Sequence, residues 1–139
     1  MSCVFCEIAA GRAEASIVYE DELVYAVMDI QPVTPGHLMV IPKRHATSLA
    51  DLVDDESDAL LRVARRAAAA LRASGLRREG VNLFLAEGEA AGQEVFHVHL
   101  HVLPRFEGDG FGLRLPPDYS VRPRSELEAA AAKIREAWQ

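Results

Sequence analysis

The five histidines and two cysteines of this 139-residue chain are the side chains suited to binding a metal or attacking an electrophile. Three of the histidines, His97, His99 and His101, alternate with aliphatic residues within the stretch 92–103. Side chains of a β-strand point alternately to opposite faces, so this period of two predicts a half-buried strand with three imidazoles on one face. Each ring nitrogen in such a row needs a partner, and the row therefore indicates metal ligation or histidine chemistry.

The two cysteines form a C-x-x-C motif, Cys3 and Cys6. They lie too close together to stabilise a fold as a disulfide, and in the reducing compartment that we expect the motif favours metal binding or redox chemistry. Thioredoxin-like redox motifs follow a strand, and none is predicted ahead of Cys3. Metal binding is preferred, with two unligated thiols as the alternative, and a Zn²⁺ ion would need two further ligands.

Four further strands are predicted to support these residues, because runs of β-branched and aromatic residues are bounded by turn-forming and acidic residues. They cover residues 16–20, 22–29, 38–42 and 81–86, the first two forming a hairpin. The segment 29–37 contains two prolines and a glycine. It is predicted to be a rigid loop that ends at His37.

The longest predicted helix covers residues 54–74, where Leu and Ala recur with helical spacing. Asp54 or Asp55 is its expected N-cap, and its arginines are expected on the solvated face. A short helical turn is expected near the N-terminus. A final helix is predicted to begin from an N-cap at Ser125, with Glu128 completing a capping box.

The composition limits the class of protein. The length is that of one domain. A net charge of −6 argues against a nucleic-acid polymer as partner, because binding its phosphates requires a basic surface. No apolar run approaches the roughly 18 residues of a membrane span, and no N-terminal signal segment is recognised. We therefore expect a cytoplasmic protein with no membrane partner.

The pattern of Gln93 followed by His97-x-His99-x-His101, with an Ala-Gly pair before it and aliphatic spacers within it, is specific. It resembles the signature of the histidine triad (HIT) superfamily of nucleotide hydrolases and transferases. The resemblance extends over about residues 3–105 and is weaker beyond.

The resemblance implies an α+β, HIT-like fold with a mainly antiparallel sheet of about five strands, one long helix and small terminal helices. Residues 1–139 would form a single HIT domain with a core of about 3–105. The C-terminal segment, 106–139, would end in a helix. Family members usually form homodimers that pair the long helix and a strand into a continuous sheet, and we expect the same here.

The resemblance also assigns catalytic roles. His99 would be the nucleophile at a nucleotide α-phosphorus and would form a nucleotidyl-imidazole intermediate. His101 and His37 would polarise phosphate oxygens, and Gln93 would stabilise their charge. No metal is needed for that chemistry. The transferase branch carries glutamine at the position of His101, so the histidine favours water as acceptor and hence a hydrolase.

The implied substrate is a purine nucleotide. Asp29 matches the aspartate that binds ribose hydroxyls in the family, and Phe5 and Ile30 match residues that sandwich the base. Read without the resemblance, Asp29 is a turn residue that caps its own loop, and Phe5 and Ile30 are core residues. Both interpretations stay open at the level of sequence.

Two departures from the family pattern bear on the leaving group. Glu94 stands where family members often have Ser or Thr, and its carboxylate repels a polyphosphate but favours a cationic amine. Ala86 stands where many relatives have asparagine, which removes one polar contact. A nucleoside phosphoramidate is therefore the preferred substrate class, with dinucleoside polyphosphates second.

The five histidines divide without remainder between that catalytic site and a second one. Cys3 and Cys6 with His45 and His97 would give a Cys₂His₂ set, which is the closed ligand set of a structural Zn²⁺. Some family members carry C-x-x-C and histidines at matching places.

Two other functions remain open. One is a mononuclear zinc hydrolase that uses the three triad histidines as ligands and leaves an open fourth position. The other is a zinc-stabilised nucleotide-binding or interaction module with little turnover, which the departures at Glu94 and Ala86 favour.

Overall fold

The computed structural model of the chain describes residues 2–139 and contains a five-stranded antiparallel sheet. The strands are β1 (Ile17–Glu20), β2 (Val24–Met28), β3 (Leu38–Pro42), β4 (Gly80–Phe84) and β5 (Leu100–Arg105), and they lie in the order β1-β2-β3-β5-β4. The helices are α1 (Val4–Ala9), α2 (Asp54–Ala73) and α3 (Arg124–Ala137). The predicted α+β fold is confirmed. No helix within residues 2–139 combines the length and apolarity needed to span a membrane.

The two faces of the sheet carry different apolar clusters, because side chains alternate along its central strands. One face packs against α2, and its cluster includes Val24, Val40 and Val102. The other cluster consists of Phe5, Tyr25, Val27, Met39 and Ile41. Met39 on β3 is the register partner of His101 on β5. The His101 side chain therefore lies on this second face, away from the long helix.

Strand β5 begins at Leu100. The prediction that His97 and His99 lie within the histidine strand is therefore wrong. The backbone ahead of β5 is bonded elsewhere, since the Val98 N–H donates to the Ala46 carbonyl at 2.8 Å. The rings of His99 and His101 are nevertheless adjacent, with centroids 4.9 Å apart.

Helix α2 begins at Asp54 and Val53 occupies its N-cap position, so neither Asp54 nor Asp55 caps it as predicted. The Val53 N–H instead donates to the carboxylate of Glu56 at 2.9 Å, which fastens the first turn. The helix arginines predicted to be solvated are exposed. They are Arg62, Arg65, Arg66 and Arg72.

Helix α3 begins at Arg124 after Pro123, so Ser125 lies in its first turn and the predicted N-cap is wrong. The Pro123 carbonyl accepts the first backbone hydrogen bonds of the helix, which sets the start two residues earlier than predicted. Glu128 pairs with Arg135 and not with a capping serine. The helical end of the C-terminal segment is confirmed, and no α3 residue is buried. The division of the chain near residue 105 stays a prediction.

Candidate functional site

The tautomer of His99 follows from one hydrogen bond. Its Nδ1 lies 2.8 Å from the backbone carbonyl of His97. A carbonyl only accepts, so Nδ1 carries the ring proton of the neutral imidazole and Nε2 retains the lone pair. This tautomer is the one that a nitrogen nucleophile requires.

His37 and His101 form a hydrogen-bonded pair whose direction is set by the backbone. The Val33 N–H donates to Nδ1 of His37 at 3.0 Å, so His37 carries its proton on Nε2. That Nε2–H donates to Nδ1 of His101 at 2.9 Å. His101 in turn carries its proton on Nε2 and presents a donor. The backbone of the loop after β2 thereby determines, through His37, that His101 on β5 acts as a donor at its Nε2.

Burial keeps this pair neutral. It lowers the pKa of His101 to about 4, with further lowering by His99 and His37. Burial also lowers the pKa of His37. The Asp29 carboxylate acts in the opposite direction on both residues but does not outweigh burial. The relay from Val33 through His37 to His101 is therefore intact at neutral pH.

Asp29 caps its own loop, and its binding of ribose stays a prediction. Its Oδ1 accepts from the Gln31 N–H at 2.8 Å, which caps the loop. Its Oδ2 lies 3.5 Å from Nε2 of His37 and 3.8 Å from Nδ1 of His101. Asp29 also lines the cleft beside these histidines. The loop-capping contact thus places the second carboxylate oxygen near the candidate catalytic groups.

A cleft of about 370 Å³ opens beside the histidines, a size typical of small-molecule sites. Its lining includes Val4, Phe5, Ile8, Ile30, Glu94 and Val95. Ile30 is 94% exposed, so the core alternative is wrong for this residue. Phe5 is both a core and a cleft residue, since it is 7% exposed and its ring centroid lies 5.1 Å from that of His99.

Gln93 does not join the other predicted site residues. Its Oε1 accepts from the Gly88 N–H at 2.8 Å, and its Nε2 donates to the carbonyls of Thr47 and Val95 at 3.1 and 3.3 Å. The side chain is buried and is not part of the cleft lining. The predicted contact between its amide and substrate phosphate is therefore corrected. Gln93 holds two loops together, and its neighbour Glu94 lines the cleft.

The four predicted metal ligands lie close together at α1. The candidate ligand atoms of Cys3, Cys6, His45 and His97 all lie within 4.8 Å of one another. The Nδ1 atom of His97 is 3.4 Å from Cys3 Sγ and 3.5 Å from Cys6 Sγ, and His45 Nδ1 is 3.3 Å from Cys6 Sγ. A tetrahedral Zn²⁺ with ordinary bond lengths places S and N ligands about 3.6 Å apart. The donor set and its dimensions fit Zn²⁺.

The tautomer of His97 also suits a metal at this place. Its Nε2 lies 2.7 Å from the Pro42 carbonyl and therefore carries the proton, which leaves the Nδ1 lone pair facing the two sulfurs. Such a bond to the second ring nitrogen is usual for ligating histidines. It also separates His97 from the other two triad histidines, contrary to a zinc hydrolase in which all three bind one ion.

Asp29, His37 and His101 form a second group of potential ligands. A metal on Nε2 of His37 would move that ring's proton to Nδ1, where it would face the Val33 N–H. The group is consequently better described as a hydrogen-bond relay than as a metal site.

Backbone groups contribute to the site in a way that the sequence does not indicate. The Val33 N–H, the Pro42 carbonyl and the His97 carbonyl determine three histidine tautomers. Every residue type supplies such groups, so no sequence pattern identifies them. The Arg44–Glu56 pair anchors the segment before His45 to α2, and no sequence pattern indicates it because its partners are 12 residues apart, one in an irregular segment and one in the helix.

Comparison with known proteins agrees with this geometry. The model of the HIT domain family matches residues 10–108. The crystal structure of a HIT family protein from Bacillus anthracis is 38% identical with a TM-score of 0.90, covering 99% of this chain and 98% of that one. A Zn-bound histidine triad family protein from Mycobacterium smegmatis is 44% identical with a TM-score of 0.77, covering 99% and 98%. A HIT family hydrolase from Legionella pneumophila is 39% identical with a TM-score of 0.65, covering 84% and 99%. The chain belongs to the HIT family.

Proposed function

We propose that this protein is a hydrolase acting at the α-phosphate of a purine nucleoside phosphoramidate, with dinucleoside polyphosphates as the second substrate class. The observation that carries the proposal is the 2.8 Å hydrogen bond from His99 Nδ1 to the His97 carbonyl, which leaves Nε2 as a nucleophile in the cleft. The similarity to a HIT family hydrolase supports the same reaction class.

In the first step His99 Nε2 donates its lone pair to the α-phosphorus. A P–N bond to His99 forms, and the bond from phosphorus to the leaving group breaks. The leaving group takes the bonding electrons, and an amine takes up a proton from solvent. The positive charge of the phosphorylated imidazole is stabilised because its Nδ1–H already donates to the His97 carbonyl.

In the second step water attacks the same phosphorus. The P–N bond breaks, its electron pair returns to His99 Nε2, and the water loses a proton to solvent. In both steps the Nε2–H of His101 donates to a phosphate oxygen, where charge develops. His37 keeps that proton on Nε2 by donating to Nδ1 of His101.

The lining of the cleft supports the choice of an amine leaving group. It includes the carboxylates of Glu14, Asp29 and Glu94, whereas no lysine or arginine within residues 2–139 lines it. A polyphosphate leaving group would meet negative charge without a compensating cation, and a cationic amine would be attracted. Asp29 is proposed to bind the ribose, with Phe5 and Ile30 on either side of the base.

Zn²⁺ bound by Cys3, Cys6, His45 and His97 would supply structural cross-linking, because four protein ligands leave no open position for substrate. The similar Zn-bound protein from Mycobacterium smegmatis supports this assignment. The Cys₂His₂ set ties the N-terminal residues to the segment that carries His99.

The test is hydrolysis of adenosine 5′-phosphoramidate by the wild type and by His99→Ala, each before and after brief zinc chelation. We expect turnover to disappear in His99→Ala and an acid-labile nucleotidyl adduct to form only when His99 is present. Chelation should lower thermal stability more than kcat. Immediate loss of kcat on chelation, with recovery on adding zinc, would favour a metallohydrolase. Nucleotide binding without adduct or turnover would favour the binding module.

We also propose a cytoplasmic homodimer. Strand β4 lies at the edge of the sheet, and its Leu83 and Phe84 are 43% and 46% exposed. An exposed apolar edge strand is suited to pairing with a second copy. This pairing would extend the sheet through two protomers, as the family resemblance implies.

A further inference from the structure

Helix α1 belongs to both sites at once. Cys3 immediately precedes it and Cys6 lies within it, so it carries the two sulfurs of the candidate zinc site. Val4, Phe5 and Ile8 of the same helix line the nucleotide cleft. A displacement of α1 would therefore change both sites together.

Apart from the two sulfurs, α1 is held by Phe5 and by the partly buried Ile8 and Ala9, which pack against the same apolar cluster. It has six residues, well below the length at which a helix is stable alone. Its one buried side chain is that of Phe5, whose ring packs in the cluster on the cleft face of the sheet. The hydroxyl of Tyr25 donates to the Phe5 carbonyl at 2.7 Å. Metal ligands on both sides of Phe5 would thus add to the free energy that keeps this short helix in place.

We propose that Cys3 and Cys6 are positioning residues for nucleotide binding. Metal binding to the Cys₂His₂ set fixes the position of α1, and Phe5 of α1 forms one wall of the cleft. Zinc affinity and nucleotide affinity are then positively linked, and each ligand strengthens the binding of the other by the same factor. This inference rests on the proposed nucleotide-binding function.

The linkage acts on binding more than on chemistry. The His37–His101 relay connects the loop after β2 to β5 and makes no hydrogen bond to α1. The tautomer of His99 depends on the backbone carbonyl of His97, and the His97 ring is held without zinc by its own hydrogen bond to the Pro42 carbonyl. Loss of zinc should therefore raise KM while kcat changes little. A purely structural metal would lower the fraction of folded enzyme, and hence kcat, without changing KM.

The experiment measures adenosine 5′-monophosphate binding by calorimetry to the full chain, zinc-loaded and zinc-free, with guanosine 5′-monophosphate in parallel. We expect Kd to be roughly tenfold higher without zinc, within the usual range of couplings between sites. Zinc affinity, measured by chelator competition, should rise by that same factor at saturating nucleotide. Hydrolysis of the phosphoramidate should show the change in KM.

Leu60→Ala is the matched control, because Leu60 is buried in the cluster beneath α2 and is remote from α1. It should lower stability without changing nucleotide Kd. Should the zinc-free chain unfold, Tyr25→Phe in the zinc-loaded protein removes the bond to the Phe5 carbonyl and leaves all four ligands. It should weaken nucleotide and zinc binding together.

Equal nucleotide Kd with and without zinc, or an unchanged Kd in zinc-loaded Tyr25→Phe where the zinc-free chain unfolds, would overturn the linkage and leave the proposed function standing. Failure of the zinc-loaded wild type to bind nucleotide would overturn the proposed function and the linkage with it. The two failures are distinguished by the zinc-loaded wild type alone.

Discussion

The Arg44–Glu56 pair anchors the segment that carries His45, and its removal gives a quantitative prediction. Glu56 is 3% exposed, and its carboxylate accepts from Arg44 Nε at 3.0 Å, Arg44 Nη2 at 2.6 Å and the Val53 N–H at 2.9 Å. The bond to Val53 is worth about 1 kcal/mol as a helix cap. The Arg44 side chain is 51% exposed, so solvent screening limits the ion pair to about 1 kcal/mol.

We therefore expect Glu56→Ala to lower the free energy of unfolding by about 2 kcal/mol. For 139 residues the unfolding entropy is about 0.3 kcal/mol/K, which converts this loss into a decrease in Tm of about 7 °C. Because Arg44 directly precedes His45, zinc affinity should fall by about tenfold, the lower end for residues that orient metal ligands. Calorimetric unfolding and chelator competition measure the two effects.

The pH dependence provides an internal check. The hydrogen bond from Arg44 is the main reason that the pKa of Glu56 lies below its ordinary value. A carboxylate with a lowered pKa contributes its stabilisation above the unfolded-state pKa of about 4.3 and loses it as the pH falls below that value. The difference between wild type and Glu56→Ala should therefore shrink in acid.

Glu128→Ala is the control, since Glu128 pairs with Arg135 on the exposed surface of α3 and should change Tm by less than about 2 °C. A Glu56→Ala protein with the Tm and zinc affinity of wild type would refute the anchoring role. A stability loss that persists unchanged at pH 3 would refute its electrostatic part.

Three further predictions concern the site and the assembly. Gln93→Ala should lower the free energy of unfolding by about 1–3 kcal/mol, because the backbone groups that Gln93 binds in the two loops lose their partner. The kcat of this variant should stay within about tenfold of wild type. A hundredfold loss of kcat at unchanged Tm would instead support a contact between Gln93 and the substrate. Because burial lowers the pKa of His101 to about 4 and the unfolded imidazole titrates near 6.5, unfolding free energy should fall as the pH decreases between these values. His101→Gln should reduce this dependence of the unfolding free energy on pH, measured by urea unfolding at several pH values. An unchanged pH dependence would argue against a neutral buried His101. Sedimentation equilibrium should give twice the mass of one chain and Phe84→Glu should give a monomer, so a monomeric wild type would contradict the edge-strand pairing.

Much of the fold was predictable because burial in a sheet imposes a local pattern. The run Leu38–Pro42 was predicted with the bounds that β3 has, since it lies at the centre of the sheet with both faces covered. The helix boundaries were less accurate. Val53 and Pro123 occupy N-cap positions, where backbone geometry outweighed the side-chain preference for Asp or Ser.

The sequence by itself determined which residue types the chain contains for chemistry and how they divide between two sites. The two motifs identified His99 and His101, which line one cleft, and Cys3 and Cys6, which belong to one ligand cluster. The grouping of these residues depends on ligand chemistry and on the resemblance to the HIT family, both of which can be recognised in the sequence.

Only the tertiary structure decided what each side chain does there. In the folded chain the Gln93 amide binds the neighbouring loops, and the adjacent residue Glu94 lines the cleft. Periodicity alone does not tell which of these two neighbours faces the cleft. The tertiary structure also selected the tautomers of His37, His97 and His99 through backbone groups from distant or neighbouring residues. The physical reason is that protonation depends on the partner of each ring nitrogen, and those partners are backbone atoms that become neighbours only when the chain has folded.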